Sequence, residues 1–225
     1  MNRITEKKSS YSLKEQVSYL FSGKVIALAI QMAIPLILVR LINRQEYGLY
    51  LQFLLVGQFL SSILIFSIPT SLYFFVPNAG DKIDQLISQT YFAVVFMCLI
   101  FLPLYYLLGA QLSVFIEMDT FNRLYYPLGL YVCFCTTSLM LEQLFVVEKK
   151  SNYVILYNVL STLLRVTFLI LAFITFKTIV SLIWALVLLR VLMSGFLFFY
   201  LRANYRLNPD FRFWDKPYFL SQVKY

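Results

Sequence analysis

Two arginines stand where a membrane-crossing helix least tolerates them. Arg165 is the thirteenth residue of the 24-residue apolar run from Tyr153 to Phe176, and Arg190 is the thirteenth of the 24 from Thr178 to Leu201. At about 1.5 Å per residue, each lies ~18 Å from either helix end, too far for comfortable snorkelling. Insertion at that depth costs about 2.5–3.5 kcal/mol apiece. Something must offset it. On the first of these runs Asn158, Ser161, Thr162 and Arg165 fall at i, i+3, i+4 and i+7, which places them on one helical stripe facing either the bundle interior or a water-filled cavity. Two chemistries are open: a structural pairing of Arg165 with Glu142 or with backbone carbonyls, or a cationic lining for an anionic substrate.

Glu142 lies toward one end of the apolar run from Tyr125 to Val147, on a face shared with Cys135 and Ser138. A carboxylate at that depth is a candidate coupling site for a proton or cation. Pairing with an arginine, or with Lys149 and Lys150, accounts for it equally well. Pro35 removes a backbone donor and crowds the carbonyl of Gln31 four residues earlier, which predicts a hinge there. Pro69 and Pro103 are expected to loosen the next two spans in the same way. Gln58, Ser61 and Ser62 share a face suited to interhelical hydrogen bonds.

The absences are as informative. The chain has no histidine, which excludes Ser-His-Asp and Cys-His nucleophile machinery, histidine-based zinc sites and the usual proton relay near neutral pH. The seven glycines form neither a phosphate loop nor a G-x-G-x-x-G pattern. Cys98, Cys133 and Cys135 read as small packing residues, and a helical Cys-x-Cys aims its thiols about 200° apart. No catalytic residue, metal or cofactor is expected.

What positions these residues is a membrane bundle. Of 225 residues, 60% are hydrophobic and 13% charged, about half the charge a water-soluble domain carries. The expected fold is all-α, a six-transmembrane-helix bundle with spans over Gly23–Ile42, Tyr47–Leu72, Ser88–Leu108, Tyr125–Val147, Tyr153–Phe176 and Thr178–Leu201. Residues 1–22 read as a cytoplasmic amphipathic segment, 23–201 as the transmembrane lobe and 202–225 as a basic cytoplasmic loop. With the N-terminus inside, thirteen Lys and Arg fall on the cytoplasmic side and four outside, so both ends are expected in the cytoplasm. The net charge of +8 is scattered between spans, which favours anionic headgroups over nucleic acid as partners.

Gln16, Val17 and Tyr19, just before the first span, are echoed in register by Gln222, Val223 and Tyr225. Such an echo predicts a second, parallel repeat, and therefore one lobe of a two-lobe transporter.

The turn Val39-Arg-Leu-Ile-Asn-Arg-Gln-Glu-Tyr-Gly-Leu-Tyr50 resembles that of Wzx-type polysaccharide (O-antigen-unit) flippases. These belong to the multidrug/oligosaccharidyl-lipid/polysaccharide exporter superfamily. Ser161–Leu171 with its embedded Arg165, and the basic loop leading to Asp215-Lys216 and Gln222–Tyr225, are similar too. The resemblance implies flipping of an undecaprenyl-pyrophosphate-linked oligosaccharide across a bacterial inner membrane by alternating access, with the chain the N-terminal half. It also implies glycan polymerase and chain-length partners in the same membrane. A pyrophosphate suits arginine's rigid fork. By likeness to related lipid-linked precursor flippases, Lys24 joins Arg165 and Arg190 as a headgroup contact. The second basic position of that pattern falls near Ile30 or Gln31, both uncharged. Gln31, Asn158, Ser161 and Thr162 are expected on the polar cavity face. The rivals are a cation-coupled multidrug exporter of the same superfamily, which would carry more intramembrane acids than bases, a membrane-embedded glycan enzyme, which would need an acidic pair or a long functional loop, and an inert fragment of a broken gene.

Overall fold

Among the residues described by the computed structural model, every regular element is helical. Those residues are 13–65, 68–112 and 119–207, without the side chains at a few helical positions. The long helices are α1 (Leu13–Leu41), α2 (Arg44–Ile65), α4 (Ile83–Leu112), α5 (Asp119–Val147), α6 (Ser151–Phe176) and α7 (Ile179–Asn204), with the short α3 (Leu72–Phe75) between α2 and α4. Five of them are long and apolar enough to cross a membrane: Arg44–Ile65, Ile83–Gly109, Leu124–Val147, Asn152–Phe176 and Ile179–Asn204. In α1 the apolar stretch is the shorter Leu28–Arg40, and the helix runs without a break through Gly23.

Local chemistry sets the helix ends. Asn43 precedes α2 and its Oδ1 accepts the Glu46 N–H at 2.8 Å, an N-cap three residues ahead of an acid. The polar turn of the sequence motif is therefore a helix start. Lys177 closes α6 in the left-handed region at φ 50°, and the Thr178 side chain caps α7 by accepting from Ser181.

The second span departs from expectation. It ends at Ile65 rather than Leu72, and Pro69 stands in the short 3-10 turn Ile68–Ser71 instead of kinking a continuous helix. Proline at the second position of such a turn needs no N–H partner, so it starts a turn here. Pro35 and Pro103 do lie inside α1 and α4.

Helix α5 is the most buried span and packs against α2, α4, α6 and α7, whereas α1 rests chiefly on α6. One apolar cluster joins Ile34 and Leu38 of α1 to Phe53, Tyr131, Leu169 and Leu182. A second joins Leu72 and Ile87 to Met140, Leu144, Val154 and Leu197. Gly57 lets α2 approach α5, since a Cβ there would lie 2.7 Å from the Tyr131 ring. The cysteines separate as their spacing predicts: Cys133 faces Cys98 of α4, and Cys135 joins the cluster around Tyr131.

Candidate functional site

Arg190 is held in the seam between α7 and α5. Its Nη1 donates to Ser138 Oγ at 3.2 Å, and its guanidinium carbon lies 5.8 Å from the centroid of the Tyr131 ring. Tyr131 is in turn pinned by Phe53, with ring centroids 5.3 Å apart. A hydrogen bond from a charged donor returns about 1.5–3 kcal/mol and a desolvated cation–π contact about 2. Together these match the insertion cost of one arginine, so Arg190 is stable without a carboxylate.

Arg165 is different. Its buried Nε has no hydrogen-bond partner, and the buried Tyr50 hydroxyl makes no bond of full hydrogen-bond geometry, although the guanidinium lies close enough to act on that hydroxyl by charge and by hydrogen bonding. Tyr131 feels the charge of both arginines. Among the described residues no carboxylate pairs with Arg165 or Arg190. The expected alternative, a pairing of Arg165 with Glu142, is not formed. Glu142 Oε1 instead accepts from Asn158 Nδ2 at 3.3 Å.

The polar stripe on α6 is largely satisfied within its own helix. Ser161 and Thr162 both donate to the Asn158 carbonyl, at 3.1 and 2.7 Å. Serine and threonine commonly bond back to the helix in this way, which removes their need for water. Gln31 and Pro35 on α1 are exposed. The Lys24 side chain lies outside the described residues, as do Gln222 to Tyr225. Among the described residues no group of three His, Cys, Asp or Glu is placed to hold a metal.

A second cluster forms where α5 turns into α6. Glu148, with a side chain only 8% exposed, pairs with Lys150 at 2.6 Å. Its carboxylate accepts from Tyr200 at 2.7 Å and from Tyr205. Lys150 also donates to Tyr200 at 2.9 Å and lies over the Tyr153 and Tyr200 rings. Burial alone would lower the Lys150 pKa, but its bonds to Glu148 and Tyr200 outweigh that and hold it above the ordinary lysine value. Burial, then the Glu148 carboxylate, pushes the Tyr205 phenol well up.

Sequence reasoning missed Tyr50, Tyr131 and the Glu148 cluster. For Tyr131 the available signal was a position well inside its span rather than at the rim where tyrosine is common, and Glu148 adjoins two lysines, whereas Tyr50, close to the start of its span, gave none.

Long apolar helices packed around two half-buried arginines define a multi-pass membrane protein. The chain matches the family described as Polysaccharide biosynthesis protein over residues 13–225, and it belongs to that family. The match is consistent with the exporter superfamily that the α1–α2 turn resembles. No curated protein and no solved structure matches it.

Proposed function

We propose that the chain is one lobe of a flippase that moves an undecaprenyl-pyrophosphate-linked oligosaccharide across a bacterial inner membrane by alternating access. In this reading α1 supplies a sixth span through Leu28–Arg40, and both chain ends lie in the cytoplasm. A second lobe completes the cavity, and glycan polymerase and chain-length proteins act beside it. Arg165 and Arg190 meet the diphosphate, with Lys24 near the cytoplasmic entry. Asn158, Ser161, Thr162 and Gln31 line the path, Pro35 is the hinge and Glu142 the coupling residue.

The observation that supports this most is Arg165. Its buried Nε has no hydrogen-bond partner, and no carboxylate stands against it or its neighbour Arg190 among the described residues. Two like charges acting on one tyrosine in a low-dielectric setting favour an anion, and a diphosphate offers the oxygens both forks need. The test is export of surface polysaccharide by cells whose only copy carries Arg165→Leu or Arg190→Leu. Loss of export with normal membrane levels of the protein is expected. Undiminished export in both variants overturns the substrate role.

A further inference from the structure

Glu148 sits at the junction of three elements and holds all of them. Its carboxylate closes the α5–α6 turn through Lys150, reaches the last turn of α7 through Tyr200, and takes the hydroxyl of Tyr205, the first residue past that helix. Tyr205 is already extended, at φ −130° and ψ 153°. Hence a single side chain fixes the direction in which the backbone leaves α7. Next to it, Lys149 at φ 56° is the left-handed residue that closes α5, with the Lys149 and Lys150 N–H groups donating to the Val146 and Phe145 carbonyls at 3.0 Å each.

We propose that Glu148, Lys150, Tyr200 and Tyr205 form a latch, seen closed here, that sets the path of the chain leaving α7 and opens at the bundle surface. Opening is feasible because the Lys150 side chain is 42% exposed, so its bonds can be exchanged for bonds to water. The Arg190 seam has no such recourse. The other charge acting on Tyr205 is Asp84, at the start of α4. A freed Tyr205 would move away from that residue as well. The latch does not depend on what the protein carries.

Limited trypsin digestion of the full chain in detergent tests it. Arg206, exposed and next to Tyr205, reports latch opening, and Lys177, exposed in the α6–α7 turn, serves as the control. Glu148→Gln, and Tyr205→Phe as the milder change that removes one hydroxyl, should each speed cleavage after Arg206 about tenfold, the scale of one lost charge-assisted bond, with cleavage after Lys177 unchanged. An unchanged Arg206 rate in Tyr205→Phe overturns the latch. So does equal acceleration at both sites, which would mean general loosening.

Discussion

The guanidinium of Arg190 lies 5.8 Å from the ring of Tyr131, two turns of α5 before the Ser138 hydroxyl that takes the arginine's hydrogen bond. The arrangement ties the middle of α7 to the middle of α5 by two different contacts. It predicts that Ser138→Ala, which leaves the cation short of an acceptor, destabilises the folded protein by about 1–3 kcal/mol. Arg190→Leu should cost less, because removing a buried charge altogether spares its desolvation. Thermal unfolding in detergent distinguishes the two, and the reverse order would show that Ser138 is not holding Arg190.

Gly57 is the place to perturb the same tyrosine from the opposite side. Gly57→Ala sets a methyl 2.7 Å from the Tyr131 ring, and overpacking of this kind costs about 1–3 kcal/mol. Gly48→Ala, with no atom within 4 Å, should be neutral or stabilise by up to about 1 kcal/mol. Parallel melting curves check the pair, and equal behaviour of the two variants would contradict the close α2–α5 approach.

Asn43 carries the family-like turn in physical terms. Asn43→Ala leaves the Glu46 N–H without its acceptor and should cost about 1 kcal/mol, whereas Asn43→Asp should keep the cap. If alanine is tolerated without loss of stability, the turn motif has some other reason than helix initiation.

Alkaline pH should weaken the Glu148 cluster. Lys150 and Tyr205 both bind their protons more tightly in the folded chain than at their ordinary values of 10.5 and 10.0. Their contribution is therefore complete below about pH 10 and is lost as pH rises through the higher folded-state values. Unfolding temperatures measured from pH 8 to 11.5 should fall more steeply in the wild type than in Glu148→Gln. Parallel profiles would remove the cluster from the account.

Much of this protein is set by composition and spacing. Long apolar runs cannot expose a backbone to lipid, so they must be helices, and the spans Leu124–Val147, Asn152–Phe176 and Ile179–Asn204 lie within about three residues of their expected bounds, although α5 itself begins earlier, at Asp119. The second span shows the limit. Hydropathy continues past Ile65, but Pro69 opens a turn there, and only packing of Ile68 and Leu72 into two separate clusters decides between a kink and an end.

The sequence by itself also determined that Arg165 and Arg190 lie at mid-span, because depth follows from counting residues along a rod. Which groups meet them was decided in three dimensions. Tyr50, Tyr131 and Ser138 come from helices far apart in the chain, and no helical period relates them to α6 or α7. For the same reason Glu142 went to Asn158 and not to Arg165, and Glu148 found tyrosines more than fifty residues away. Periodicity fixes the face a side chain occupies, while the neighbour on that face depends on how the rods pack.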